Sequence, residues 1–376
     1  MERHIRWQRW LSALLLLFLL GLIPGQVLAN AAPPRYTGDA GGPLLPGQSP
    51  QVHVLEETLT FDLHSDLRHA DVMAAYTLEN RGPALSGQPF IFVVQASEDD
   101  LKLAAAWEGA SLPVEEVDPE QFTPGELELM EDAWTRVDTW LDPVSAEFYQ
   151  PEVVVGQADL RYYRFFVDLP AGAVGKLEVS YQPRGAYDRV RHVHPIYHYQ
   201  YLLQPARGWA SFGPLEVQVI PPAGVDMYFA SNLAFQQEDG VYRLQLPGLP
   251  DENLTFAVMD RAGILFGLTQ PGPYFWMGFA LMLVLAAAIG LALGWLTHRL
   301  PGYWAPAAAA AAGLLLGGPL DVVLAAGILQ SFPALRGQSY SLYLAAFGQG
   351  LVGAVVSALA GAVTARRLSQ RRKASQ

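Results

Sequence analysis

The stretch YFWMGFALMLVLAAAIGLALGWL, residues 274–296, contains no charged side chain and is flanked by aromatic residues. Tyr274, Phe275 and Trp276 stand at one end and Trp295 at the other. It exceeds the ~20 apolar residues that a helix needs to cross about 30 Å of hydrocarbon. Aromatic rings at its ends fit the belts found at membrane–water boundaries. Outward from this segment the pattern continues. Between Ala262 and Ala365 only Arg299, Asp321 and Arg336 are charged. So little charge cannot cover a surface bathed in water. Two further apolar spans follow, 303–329 behind Tyr303-Trp304, and 340–364 behind Tyr340 and Tyr343. Residues 274–365 are therefore predicted to form an α-helical membrane domain of three transmembrane helices, with the lipid bilayer as partner.

The basic residues orient these spans. Arg366, Arg367, Arg371, Arg372 and Lys373 make 366–376 a basic tail. Positive charge stays on the cytoplasmic side, which places the end of the third span inside. Counting back, Arg299 falls in an inner loop and the chain before Tyr274 falls outside. The other end of the sequence agrees. Arg3, Arg6 and Arg9 precede the apolar run Leu11–Ile23, the breaker Pro24-Gly25 and the small residues Ala29 and Ala31. That order reads as a secretory signal peptide over 1–29, or to 31 if the later site is cut. An uncleaved signal anchor would orient the chain identically. The expectation is a multi-pass protein of the cell membrane, with 30–273 outside the cytoplasm and the C-terminus inside.

Residues 30–265 hold 34 acidic and 14 basic residues, a net charge of −20. This excludes nucleic acid as a partner, because phosphate binding requires Lys/Arg surfaces. The chain has no cysteine, so disulfides, zinc–thiolate sites and thiol catalysis are excluded together. Pro33-Pro34, Gly41-Gly42-Pro43 and Pro46-Gly47 mark 30–50 as a flexible lead-in without regular structure.

Alternation dominates 51–262. Leu59, Phe61 and Leu63 oppose Thr58, Thr60 and Asp62; Val72, Ala74, Tyr76 and Leu78 oppose Asp71, Thr77 and Glu79. Leu177, Val179 and Tyr181 oppose Lys176, Glu178 and Ser180. A period of two predicts half-buried strands. Similar runs cover 90–95, 160–168, 197–204, 215–220, 241–246 and 254–259, separated by turns such as Asn80-Arg81-Gly82-Pro83 and Asp239-Gly240. The fold class predicted is a mainly β, sandwich-like extracytoplasmic module joined through a linker, 263–273, to the helices. One helix is expected inside it, over 124–141. Thr123-Pro124-Gly125-Glu126 forms a capping box, and Leu127, Met130, Trp134, Val137 and Leu141 recur on one face.

Few residues invite chemistry. On an extended strand His192, His194 and His198 would share a face, a pattern that can bring imidazoles to one metal. Pro195 interrupts that strand, and the competing reading is surface histidines behind Tyr197, Tyr199 and Tyr201 packed inward. The acidic runs at 98–100 and 115–118 lack the glycine and alternation of a calcium loop and read as solvated loops. Gly-x-Ser-x-Gly, His-Glu-x-x-His and a phosphate-cradling loop are all missing from the sequence. Within the spans, Asp321 is the single acidic residue and a functional candidate for that reason. Small residues four apart, Gly290 and Gly294, Gly313 and Gly317, and Gly353, Ser357 and Gly361, predict close helix contacts.

The function expected is a membrane-anchored extracytoplasmic binding, sensing or assembly module, non-enzymatic and without a cofactor. Its partner would be an extracytoplasmic ligand or a membrane protein. The alternatives are an accessory subunit of a membrane transporter and a metal-dependent hydrolase using His192 and His194.

Overall fold

The computed structural model describes residues 35–36, 38–45, 51–96, 101–122, 140–151, 159–301, 304–332, 335 and 339–374. The expected signal peptide and the acidic run 98–100 lie outside them. The chain divides into two compact units, Pro33–Ala262 and a second that includes Gly263–Gln376.

The first unit is built from two large mixed sheets. One runs in the order Gln236–Glu238, Val241–Leu246, Leu215–Ile220, Val52–Leu63, Ala70–Asn80, Val174–Tyr181, Ala104–Trp107, Ala110–Leu112. The other is centred on Ile196–Tyr201, Ala40–Leu45, Leu85–Ala96 and Asp159–Leu169, with Leu254–Asp260 and Met227–Ser231 branching from Ile196–Tyr201. Neighbours are antiparallel except where Leu215–Ile220 meets Val52–Leu63 and Ile196–Tyr201 meets Ala40–Leu45. Each run read from the period of two is a strand. The 197–204 run stops at Tyr201, and Gln204–Gly208 turns as a 3₁₀ helix.

Both sheets supply side chains to one hydrophobic core. Phe61, from the first sheet, lies 5.0 Å from Phe256 and 6.3 Å from Tyr199, ring centre to ring centre, both from the second. Phe92 meets Tyr181 at 5.4 Å in the same way. These edge and tilted arrangements are those the aromatic quadrupole favours.

Two expectations need correction. The lead-in 30–50 is partly sheet. Arg35–Tyr36 pairs with Ala186–Asp188, and Ala40–Leu45 sits inside the second sheet between Leu85–Ala96 and Ile196–Tyr201. Gly41 is required there, because a Cβ would collide with the Tyr181 ring. A register shift between Gly41 and Leu44 takes up Pro43, the position at which a strand tolerates proline. Leu44 is fully buried, and its carbonyl accepts the Trp209 indole N–H at 2.9 Å. The predicted helix 124–141 lies outside the described residues except for Trp140 and Leu141. Those two form a short strand against Phe148–Tyr149.

Among the described residues the second unit contains three long helices, α1 (Pro271–Thr297), α2 (Trp304–Ser331) and α3 (Ser339–Ala374). The segments Pro271–Thr297, Trp304–Ser331 and Tyr343–Ala374, of 27, 28 and 32 residues, are each long and apolar enough to cross a membrane. Pro271 occupies the first position of α1, where a missing N–H costs nothing, so the end of the expected linker is already helical. Buried positions recur every fourth residue. On α1 they are Tyr274, Gly278, Met282, Ala286, Gly290 and Gly294. On α2 they include Ala305, Ala309, Gly313, Gly317, Asp321, Ala325 and Leu329. A straight α-helix of 3.6 residues per turn drifts away from a spacing of four. Gly313–Gly317 is a π turn within α2, and both of its end glycines are buried.

Candidate functional site

The predicted histidine face is divided. Strand Ile196–Tyr201 holds His198, whereas His192 and His194 belong to the irregular segment before it. His194 Nε2 reaches the Ala262 carbonyl at 2.8 Å, away from the other two. Among the described residues no group of three or more His, Cys, Asp or Glu is placed to hold a metal ion.

His192 and His198 instead flank a closed polar cluster. His192 Nε2 lies 3.0 Å from each carboxylate oxygen of Asp142. The Asp142 carboxylate also accepts from Arg191 Nε and from the Val144 backbone N–H. Burial opposes the charge on Asp142. The donors His192, Arg191 and Val144 outweigh it and hold the carboxyl well below the usual carboxylate range. The Arg191 guanidinium covers the Tyr149 ring at 4.4 Å, a cation–π contact. Tyr149 Oη donates to Asp188 Oδ2 at 3.1 Å and lies 3.3 Å from His198 Nε2. His198 Nδ1 has no hydrogen-bond partner among the described residues. Trp140 caps the imidazole with ring centres 4.5 Å apart, and burial pushes the His198 pKa down to about 3. This arrangement clasps the hairpin of Trp140–Leu141 and Phe148–Tyr149 to the segment 188–198.

Reading by alternation missed Glu57. The strand Val52–Leu63 has a bulge between Val54 and Glu56, which swaps its faces. Val52 and Val54 point inward before it; Glu57, Leu59 and Phe61 do so after it. Glu57 is thereby carried into the aromatic core, where Tyr201 Oη donates to its Oε1 at 3.3 Å and Tyr76 Oη lies 3.0 Å from Tyr201 Oη. Its Oε2 is buried and has no hydrogen-bond partner among the described residues. Burial raises the Glu57 pKa to about 8, against the opposing hydrogen bonds from Tyr76 and Tyr201. The sequence signal was available: Glu57 shares parity with Leu59, Phe61 and Leu63.

The acidic run 115–118 is not a loop at its start. Glu115–Val117 is an edge strand, and its glutamates pair with Arg164 at 2.7 Å and with Arg161 at 2.6 Å on the neighbouring strand.

In the helical unit Asp321 is fully buried. Its Oδ2 lies 2.9 Å from Ser357 Oγ on α3, and Ser357 Oγ lies 2.8 Å from the Ala286 carbonyl oxygen on α1. Three helices thus meet at one hydroxyl. Gly353 leaves the room: a Cβ there would stand 3.0 Å from Asp321 Cβ. The predicted small-residue seams join these helices to one another. A Cβ on Gly294 would lie 2.5 Å from the Gly361 carbonyl oxygen, and one on Gly313 would lie 2.5 Å from Ala358 Cα.

No family model matches the chain. No curated protein matches its sequence. Among solved structures, a candidate nutrient binding protein from Legionella pneumophila aligns at 10% identity and a TM-score of 0.40, covering 60% of this chain and 72% of that one. Leukotriene A4 hydrolase from Saccharomyces cerevisiae aligns at 7% identity and a TM-score of 0.32, covering 56% of this chain and 29% of that one. Likeness at this level carries no argument about activity.

Proposed function

We propose that the chain is a multi-pass membrane protein whose first unit, a β-sandwich outside the cytoplasm, binds, senses or holds together other molecules without catalysing a reaction. The observation that carries this reading is the reversed surface of the helical unit. Most of the inward positions are glycine, alanine or serine, while Leu281, Val284, Leu291, Leu315, Leu316 and Val323 face outward. Water disfavours such a surface and lipid suits it. The sandwich reading is supported by the single core shared between the two sheets. The non-enzymatic reading is supported by the closure of the Asp142 cluster on partners within the chain.

Orientation is tested with single cysteines, since the natural chain has none. A membrane-impermeant maleimide is expected to label Glu238→Cys in intact cells and Gln370→Cys only after permeabilisation. Labelling in the opposite order overturns the topology. The accessory-subunit reading rests on Asp321, a buried carboxyl in an apolar unit. Recovery of a stoichiometric membrane partner in mild detergent, lost in Asp321→Asn, would favour it over a free-standing binding module.

A further inference from the structure

We propose that the turn Gly263–Leu268 is a membrane-interface anchor, with Phe266 entering the outer leaflet at the boundary of headgroups and acyl chains. The proposal rests on the reading of α1 as a membrane span. Charge ends before this turn: Asp260 and Arg261 are the last charged residues, and no other occurs until Arg299. Within the turn Ile264, Leu265, Phe266 and Leu268 are all large and apolar. Phe266 is 91% exposed, so its whole ring faces the surroundings.

The backbone is built to hold it there. Phe266 has φ of 54° and Gly267 of 71°, and a left-handed conformation is costly for a bulky residue. Such strain persists where the surroundings over-determine it. Here the Leu268 N–H bonds to the Leu265 carbonyl at 2.9 Å, which closes the turn. The Leu265 N–H donates to the Tyr274 hydroxyl at 2.8 Å, which ties the turn to the first turn of α1. Phe266 is therefore held beside the first turn of α1, which begins at Pro271 and carries Tyr274, where α1 would enter the bilayer. Aromatic rings favour that depth, because one face meets acyl chains and the edge meets headgroups. A ring presented at that height, uncharged on both sides and clamped outward, has lipid as its natural neighbour.

The test places an environment-sensitive fluorophore on Leu265→Cys, leaving Phe266 in place. The full-length chain is reconstituted in phosphatidylethanolamine–phosphatidylglycerol vesicles. The label is expected to emit to the blue. Nitroxide on the lipid headgroup should quench it more than nitroxide near the acyl-chain end, and aqueous iodide should quench it weakly. Adding Phe266→Asp should raise iodide quenching at least severalfold. A label on Val284→Cys, two-thirds exposed on α1, reports the span separately and should be quenched by the deep nitroxide. If that Val284 label is open to iodide, the membrane reading itself fails. The anchor alone fails if the Val284 label is lipid-quenched while the Leu265 label is open to iodide, or is shielded from iodide and lipid alike. It also fails if Phe266→Asp changes nothing.

Discussion

The two units solve packing in opposite ways. The β unit encloses its largest side chains: Phe61, Phe90, Phe92, Phe165, Tyr199 and Phe256 are all below 2% exposed. The helical unit encloses mostly small residues, with Tyr274, Met282 and Leu329 as larger exceptions, and Leu315, Leu316, Val284 and Val323 lie on its outside. In water the large apolar residues must hide, because each buried one contributes roughly 1.5–3 kcal/mol. Where the solvent is itself apolar that drive vanishes, and association depends on backbones approaching closely. The contrast between the interiors is what the proposal of two different solvents, water and lipid, would produce within one chain.

The contrast breaks first at the helix seam. Gly313→Leu should have the largest effect, since its Cβ would stand 2.5 Å from Ala358 Cα and 2.6 Å from Ala358 N, and backbone cannot swing aside. Ordinary overpacking costs about 1–3 kcal/mol. Here α2 must leave α3, and the detergent-solubilised chain should lose its monodisperse elution peak. Val284→Leu, on the outside of α1, should elute unchanged. The β unit should show the reverse sensitivity. Phe61→Ala removes a ring that touches Tyr199, Tyr201 and Phe256, and should cost about 3–5 kcal/mol in denaturant unfolding.

A subtler difference is the carboxyl of Glu57, which the aromatic core of the β unit encloses. The folded-state pKa of Glu57 lies near 8, above its ordinary value of 4.5. A raised carboxyl pKa means that the fold prefers the protonated form. Its contribution is complete below about pH 4.5 and is lost as pH rises through about 8. The melting temperature, followed by near-ultraviolet circular dichroism, should fall across that window. Glu57→Gln should flatten the dependence and stabilise the unit near pH 8 by a few kcal/mol, with little effect at pH 5. An unchanged slope in the variant would remove Glu57 from the account.

Legibility in the sequence followed the regularity of the local period. Strands such as Ala70–Asn80 and Leu215–Ile220 alternate without interruption, and they were readable residue by residue. Glu57 was legible only in the second half of its strand, where it shares parity with Leu59, Phe61 and Leu63; the bulge after Val54, which depends on the partner strand, puts Val52 and Val54 on the same face and breaks the parity along the whole run. Ala40–Leu45 was not, because Gly41-Gly42-Pro43 has the composition of a turn and becomes strand only beside the ring of Tyr181. The shared histidine face does not form for a reason the sequence already shows: the break at Pro195 leaves His192 and His194 in the irregular segment before Ile196. Asp142, which organises His192, lies one residue past the predicted helix 124–141, where no local spacing points to the histidines. The small-residue seams were readable because four-residue spacing is local to each helix, whereas Ser357 as the meeting point of Asp321 and Ala286 required all three helices in place.

The smallest expected effect falls at that meeting point. Ser357 has one hydroxyl proton and two acceptor neighbours, the Ala286 carbonyl and Asp321 Oδ2. If the hydroxyl donates to the carbonyl, the second contact needs a proton from the Asp321 side. An amide supplies that donor with nearly the same shape. Asp321→Asn should therefore leave the elution profile and melting of the helical unit within about 1 kcal/mol of the natural chain, the scale of a single intramolecular hydrogen bond. Asp321→Leu should do worse, because it removes the donor and crowds the space that Gly353 leaves open. A large loss in Asp321→Asn would mean that the carboxylate charge matters. The interior of the helical unit would then differ from that of the β unit in chemistry as well as in side-chain size.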